Sequence, residues 1–223
     1  MISRYTYGSC IETGAVPEKP EIEAGALPFF VVDEEQMTLT YRMAEHDRVY
    51  GLGENLRGIN KRGWIYESKC TDDPNHMEEK RSLYAAHNFF VVDGSETFGV
   101  FVDYPGIVSF DIGYTKMEEL KIQASDWNLD VYVITGMDVK DIVKQFRKMI
   151  GRSYIPPLWA FGYGQSRWGY RSEDDVREVV KAYRDLQIPL DSVYLDIDYM
   201  EQYKDFTLNQ ETFPDFPDLV EEM

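Results

Sequence analysis

The sequence has few of the residues that build metal centres or disulfide frameworks. Only Cys10 and Cys70 are present, and they form no C-x-x-C pair, so neither a disulfide framework nor a zinc site is predicted. The three histidines, His46, His76 and His87, are scattered and match no metal-ligand spacing. We therefore expect no metal and no cofactor, and thiols that stay reduced, as they do in the cytoplasm.

Long apolar runs and an excess of positive charge are also missing. No stretch approaches the roughly 18 apolar residues that a membrane helix needs, and the opening MISRYTYGSC has no apolar region of the signal-peptide kind. Asp and Glu number 40 against 23 Lys and Arg, which gives a formal net charge of −17. We therefore expect no membrane contact, no nucleic-acid partner and a cytoplasmic location, and the sequence leaves homo-oligomer formation open.

Two common catalytic motifs are absent as well. Gly162 and Gly164 begin a G-x-G pattern, but Arg167 occupies the position of the third glycine of a dinucleotide-binding loop. The chain also has no G-x-S-x-G segment, which would place a nucleophilic serine on a sharp turn. Nucleotide binding and serine hydrolysis are therefore poorly supported.

What the chain does have is abundant apolar and aromatic residues. They make up 43% of the sequence and include 12 Phe, 16 Tyr and 4 Trp, which is enough for a packed core. Residues 1–136 contain short β-branched or aromatic runs separated by Gly, Pro, Asp and Glu, the pattern of an antiparallel β-sandwich. Around residues 57–81 this pattern stops, which indicates either a functional loop or a solvated insertion. The runs are Leu27–Val32, Met37–Tyr41, Val49–Leu52, Phe89–Val92, Gly99–Val102, Ile107–Ile112 and Leu129–Ile134.

A helix is predicted to link this domain to a second one. Asp138 can cap it, an apolar stripe follows at helical spacing, and Gly151 can end it, so the linking segment covers 137–155. Pro156 and Pro157 cannot continue a helix, and a domain boundary is expected beside them.

Residues 156–223 read as strand, helix and strand. Leu158–Tyr163 has strand length, Ser172 can cap a helix with an apolar stripe, and Ser192–Ile197 forms a second strand. This is a βαβ unit, which presents its chemistry at the carboxyl ends of its strands. We interpret it as the first βαβ unit of a (β/α)8 barrel that is incomplete in this chain.

The end of the second predicted strand carries the best candidates for a site. Asp196 and Asp198 would project to one face about 7 Å apart, and either a polyhydroxylated ligand or a pairing with Arg167 would satisfy a carboxylate there. This separation does not forbid an inverting glycosidase, but a catalytic pair approaches the scissile bond from opposite sides. We therefore interpret the pair as substrate-binding. Trp168, in the loop after the first strand, either packs on a sugar face or covers the barrel rim.

Several segments in order resemble those of glycoside hydrolase family 31, the α-glucosidases. They are YGLGE at Tyr50–Glu54, FGVF at Phe98–Phe101, IGRSYIPPLWAFGYGQSRWGY at Ile150–Tyr170 and YLDIDYM at Tyr194–Met200, followed by KDFTLNQETFPDFPDL. The resemblance runs from about Tyr50 to the last residue. It implies a β-sandwich, a (β/α)8 barrel and retaining hydrolysis of α-linked glucose, with α-1,4 or α-1,6 linkages both open.

The resemblance also implies roles for individual residues. Asp196 would hydrogen-bond hydroxyls of the terminal glucose, with Ile197 lining the same subsite. Trp168 takes an aromatic position where many members have Tyr. A sandwich loop would carry a further carboxylate over the site, Asp72 or Asp73, with Asp72 preferred. The family's nucleophile segment, W-x-D-[aromatic or Met]-N-E, has no counterpart here, so we expect no catalytic carboxylate in this chain and no activity from the chain alone.

Two other functions stay open at this point. The chain could be a non-catalytic carbohydrate-binding β-sandwich module, although such a module has no need of a βαβ unit. It could also belong to another barrel enzyme that uses Asp196 and Asp198 as metal or acid–base groups, although no histidine cluster supports a transition metal.

Overall fold

The computed structural model describes residues 1–223, which divide into two compact units, Met1–Arg152 and Ser153–Met223. No helix in the chain is both long and apolar enough to cross a membrane. The strands of the first unit are β1 (Ile2–Tyr7), β2 (Phe30–Asp33), β3 (Thr38–Arg42), β4 (Arg48–Gly53), β5 (Trp64–Glu67), β6 (Ala86–Asp93), β7 (Phe98–Asp103), β8 (Val108–Ile112), β9 (Glu119–Ala124) and β10 (Leu129–Thr135). Its helix is α1 (Val139–Ile150), and the second unit contains β11 (Gly164–Ser166), α2 (Glu173–Asp185), β12 (Ser192–Tyr194) and α3 (Phe216–Glu222).

The first unit is an antiparallel β-sandwich, as predicted. One sheet has the order β1-β10-β7-β6-β4 and the other β2-β3-β9-β8-β5. Strand β8 shows why the sheets pack, because Val108, Phe110 and Ile112 are buried while Ser109 and Asp111 between them are not. The inward-facing side chains of both sheets together build one continuous core of aromatic and branched residues.

Helix α1 packs on the outer face of the first sheet. The Asp138 carboxylate accepts a hydrogen bond from the backbone N–H of Asp141 at 2.8 Å and caps the helix as predicted. The ring of Phe146 stacks on Phe89 with centroids 3.8 Å apart. Gly99 permits this close packing, since a Cβ there would lie 2.6 Å from Cγ2 of Ile142. The helix therefore belongs to the sandwich unit.

The second unit contains the predicted βαβ unit. Strands β11 and β12 pair in parallel, from Gly164 opposite Ser192 to Ser166 opposite Tyr194, and α2 connects them. A small core of Tyr170, Val176, Phe213 and Leu219 packs beneath the helix. This agrees with the beginning of a (β/α)8 barrel.

The predicted strand Leu158–Tyr163 is wrong. Leu158–Phe161 forms a 3-10 helix, in which the N–H of Ala160 donates to the carbonyl of Pro157 and the N–H of Gly162 to that of Trp159, each at 3.0 Å. A short apolar run has no periodicity that separates a strand from a tight helical turn. The strand forms instead at Gly164–Ser166.

The second predicted strand is too long. It ends at Tyr194 instead of Ile197, and Asp196 adopts a left-handed backbone with φ of 64° inside a turn. The prediction that Asp196 and Asp198 share one face of a strand is therefore wrong, because strand alternation no longer applies to either residue.

The segment 57–81 is not a continuous loop, since β5 lies within it and pairs with β8. Strands β1 and β9 were also not predicted from the sequence. Their outward positions carry charged and polar side chains, so ISRYTY and ELKIQA contain few of the apolar residues on which the prediction relied. Residues 68–85 remain without a strand.

Candidate functional site

The carboxyl ends of β11 and β12 bring two predicted site residues to one edge of the parallel sheet. Ser166 and Tyr194 are register partners and the last residues of their strands. Trp168 and Asp196 each follow two residues later. Since neighbouring strands lie about 4.8 Å apart, the loops that carry these two side chains leave the sheet side by side. Their proximity follows from the parallel register alone.

Trp168 lies in a turn and presents its indole to solvent. Its exposed fraction is 69%, and the next residue, Gly169, has φ of 109°, a conformation that favours glycine. Tyr170 then turns back into the core and is almost fully buried. The loop therefore anchors itself through Tyr170 and leaves Trp168 free to contact a ligand.

A network of amide and phenol groups holds this loop, and sequence reasoning did not identify it. The Gln165 Oε1 atom accepts hydrogen bonds from the hydroxyls of Tyr163 and Tyr183 at 2.9 and 2.6 Å. The Gln165 Nε2 atom donates to the Tyr170 hydroxyl at 3.2 Å. Gln165 thus connects β11, α2 and the Trp168 loop. The sequence shows only three tyrosines near one glutamine. Their connection to Gln165 requires α2 to pack against β11, which the sequence alone does not reveal.

Asp196 and Asp198 have no hydrogen-bonding or ion-pairing partner among the side chains of the chain, and the pairing with Arg167 considered above does not form. Asp196 is exposed and Asp198 is half-buried. Both carboxylates therefore keep their acceptor capacity for a ligand. Ile197, between them, has an exposed fraction of 39% and adds an apolar contact at the same turn.

Backbone hydrogen bonds fix this turn. The N–H of Met200 donates to the carbonyl of Ile197 at 3.1 Å, and the N–H of Asn209 donates to the carbonyl of Tyr199 at 2.8 Å. The Thr207 hydroxyl also accepts from the N–H of Glu201 at 2.9 Å. The strand register therefore fixes where this turn leaves the sheet, and contacts with residues 207–209 fix the chain that follows Asp196.

Asp72 and Asp73 lie in the sandwich unit, on the segment between β5 and β6. Asp73 is already engaged, since it accepts from the N–H of Asn75 at 2.9 Å and pairs with the ammonium group of Lys80. Asp72 is exposed and has no such partner. Of the two carboxylates, Asp72 is the one that is free to accept from a ligand.

No group of three His, Cys, Asp or Glu side chains in the chain lies close enough to hold a metal ion. The chemistry available at the strand edge is therefore that of an exposed indole, two unpaired carboxylates and one apolar side chain. Such a set can pack on the C–H face of a sugar while it accepts hydrogen bonds from hydroxyl groups.

Two family models match the chain in the expected order. Residues 27–111 match the glycosyl hydrolase 31 N-terminal galactose mutarotase-like domain, and residues 153–223 match the glycosyl hydrolases family 31 TIM-barrel domain. The chain belongs to glycoside hydrolase family 31. The two matched ranges fall in the two structural units, so this family 31 chain carries the sandwich followed by the first part of the barrel.

The named relatives of this family 31 chain include α-glucosidases. Alpha-glucosidase 2 of Bacillus thermoamyloliquefaciens is 36% identical over 183 residues, which are 81% of this chain and 23% of that protein. Lysosomal alpha-glucosidase of Mus musculus is 33% identical over 199 residues, 88% of this chain and 20% of that protein. The chain therefore spans about a fifth of the length of these relatives.

Solved structures of other proteins match the fold of this chain. A family 31 dextranase of Flavobacterium johnsoniae, complexed with isomaltotriose, matches with a TM-score of 0.77 and 26% identity over 89% of this chain and 24% of that one. The glucosidase II alpha subunit matches with a TM-score of 0.71 at 21% identity, over 83% of this chain and 22% of that one, and supports the fold.

Proposed function

We propose that this chain supplies the sugar-binding part of a retaining α-glucosidase that releases terminal α-linked glucose from oligosaccharides, through α-1,4 linkages, α-1,6 linkages or both. The observation that carries the proposal is the placement of Trp168 and Asp196 on adjacent loops at the carboxyl edge of β11 and β12. The names of the relatives support the substrate class, since they include α-glucosidases and a dextranase bound to isomaltotriose.

Each residue then has a defined part in binding. The indole of Trp168 packs on the apolar face of the glucose ring, and Ile197 contacts the same sugar. The carboxylate of Asp196 accepts hydrogen bonds from two hydroxyls, and its negative charge strengthens them. These contacts hold and orient the glucose.

Bond cleavage in a retaining glycosidase needs a nucleophilic carboxylate and an acid–base carboxylate about 5–5.5 Å apart. None of the four tryptophans of the chain begins a W-x-D segment. We therefore assign binding to this chain and neither of the two catalytic roles.

Asp196→Asn and Trp168→Ala test the proposal in the polypeptide that joins these residues to the catalytic carboxylates. Loss of a charge-assisted hydrogen bond costs about 1.5–3 kcal/mol, so we expect kcat/KM of Asp196→Asn for maltose and isomaltose to fall roughly 10- to 100-fold. Trp168→Ala removes the ring that packs on the sugar, and we expect it to lower kcat/KM as well. Glu178→Gln, an exposed carboxylate on α2 with no part in the proposed site, is the matched control, with little change expected. Unchanged kcat/KM in Asp196→Asn, with a native circular dichroism spectrum, would remove the binding role.

A further inference from the structure

The sandwich unit has a ligand-sized concave surface beside its edge strand β5. Two adjoining cavities of about 300 and about 170 Å3 share Ile65 and Arg81. We call this surface the β5–β9 groove and define it by Arg57, Trp64, Ile65, Arg81, Tyr114 and Lys121. Neither Asp72 nor Asp73 lines it, so nothing in the proposed function uses it.

Strand register places the floor of the groove on the solvent side of the second sheet. Ile65 is opposite Asp111, and Asp111 is opposite Lys121, so these three side chains form one row across β5, β8 and β9. The next row, Tyr66, Phe110 and Ile122, points the other way and is buried in the core. Because each row is fixed by the core on its other side, the floor is preorganised.

Aromatic rings form one wall of the groove. Trp64 and Tyr114 have exposed fractions of 37% and 61%, and their rings are nearly parallel, with centroids 6.5 Å apart and an interplanar angle of 20°. The guanidinium carbon of Arg57 lies 3.8 Å from the centroid of the Trp64 ring and holds the indole in place. Two exposed and roughly parallel rings, one of them held by Arg57, suit a ligand with flat apolar faces.

The charges around the groove indicate a neutral ligand. Its two cavities are lined by four cations and three anions, although the whole chain has a net charge of −17. Several of these groups are already paired, as Lys116 is with Glu119 at 3.0 Å and Arg81 with Glu67 at 3.2 Å. A surface with mixed donors and acceptors and almost balanced charge has little attraction for a polyanion, but it can bind hydroxyl groups.

We propose that the β5–β9 groove binds a neutral oligosaccharide, with sugar rings packed on Trp64 and Tyr114 and hydroxyls on the charged floor. The choice of an α-linked glucan as that sugar rests on the proposed function. The combined volume matches the usual size of small-ligand sites. Such a surface would hold a glucan chain on the sandwich independently of Trp168 and Asp196.

The test is binding by the whole 223-residue chain. We expect electrophoresis in gels that contain soluble starch or dextran to retard the chain. Tyr114→Ala is expected to weaken this binding at least 10-fold, while Tyr114→Phe, which keeps the ring, retains it. Met117→Ala is the matched control, because Met117 is exposed in the same β8–β9 hairpin and does not line the groove.

The same gels separate this inference from the proposed function. The double variant Trp168→Ala, Asp196→Asn should still be retarded, whether or not those changes lower hydrolysis in the longer polypeptide. Three results would overturn the inference: no retardation by either glucan, equal retardation of folded Tyr114→Ala, or loss of retardation in the double variant only. Salt-sensitive retention by a sulfated polysaccharide in place of the glucans would also contradict it.

Discussion

At the scale of single residues, two buried carboxylates face each other in opposite electrostatic situations. Asp103 and Asp130 are register partners on β7 and β10. Asp130 lies 2.9 Å from a guanidinium nitrogen of Arg4 and accepts from the Thr6 hydroxyl at 2.6 Å. Burial works to raise its pKa, but these partners outweigh burial and lower the pKa. For Asp103, burial dominates and raises the pKa, since only the Thr13 hydroxyl, at 2.5 Å, donates to it and its Oδ2 has no partner.

Asp103→Asn is therefore expected to stabilise the sandwich at pH 7. A carboxyl with a raised folded-state pKa destabilises the fold whenever it is ionised, and asparagine removes that penalty, by about 1 kcal/mol. The gain should vanish as the pH falls below about 3.8, where the carboxyl is protonated in both states. Urea unfolding between pH 3 and 7 measures this, and an equal gain at pH 3 would contradict it.

Asp130→Asn is the matched substitution, and we expect it to destabilise the sandwich at pH 7. Its lowered pKa means that the ionised form stabilises the fold above about pH 3.8, and this stability is lost as the pH falls through the still lower folded-state value. At pH 7 the substitution leaves Arg4 without its counter-ion, which costs about 3 kcal/mol. Stabilisation by both substitutions would show that the two carboxylates are not distinguished by their partners.

At the scale of secondary-structure elements, the start of α2 depends on two side chains that contribute unequally. The Ser172 hydroxyl accepts one hydrogen bond, from the N–H of Asp175 at 3.3 Å. The Asp175 carboxylate accepts two, from the N–H groups of Arg171 and Ser172 at 2.9 and 3.1 Å, and it also faces the positive end of the helix. Asp175 is thus the stronger of the two caps.

Asp175→Ala should destabilise the second unit more than Ser172→Ala does. We expect about 2 kcal/mol for the first change and about 1 kcal/mol for the second, because one removes two charge-assisted hydrogen bonds and the other removes one long neutral bond. Hydrogen exchange of the α2 amides measures both. Asp174→Ala is the control, since its side chain is 95% exposed. Equal effects of the two cap variants would refute the ranking.

Both long helices were predictable from the sequence because their signals are local. Asp138 and Ser172 lie next to the apolar stripes that they cap, and the structure confirms both caps. The three-residue strands β11 and β12 gave no comparable signal, since parallel pairing alone decides where they begin and end. The chemistry assigned to Trp168 and Asp196 came from the loop after the first predicted strand, the end of the second and the family resemblance, whereas the Gln165 network depends on contacts between elements and was not predicted.

At the scale of the whole molecule, the chain combines a complete hydrophobic core in one unit with a much smaller one in the other. The sandwich buries its core between two five-stranded sheets, whereas the second unit presents Leu158, Phe161 and Phe206 to solvent. Trp168 and Asp196, which we propose bind the sugar, lie on this second unit, beside strands of three residues each. Binding there is therefore expected to be sensitive to conditions that leave the sandwich intact.

We expect the purified 223-residue chain to bind α-glucosides and not to hydrolyse them. No W-x-D segment is present to supply the nucleophile of a retaining mechanism. Release of p-nitrophenol from its α-glucoside should stay at the rate of buffer, while titration calorimetry with maltotriose reports binding heat. If hydrolytic activity co-purifies with the chain and Asp196→Asn abolishes it, the assignment of binding without catalysis is overturned.

The left-handed backbone of Asp196 limits which amino acids can occupy this position. Asparagine, aspartate and glycine adopt such a φ readily, whereas β-branched residues do so only under strain. In saturation mutagenesis at this position, an active variant would thus have to meet two requirements: a residue that tolerates the turn, and a side chain that binds the sugar. Asparagine meets the first requirement and changes only the charge, so it reports on recognition, whereas valine or isoleucine would report mainly on the geometry of the turn.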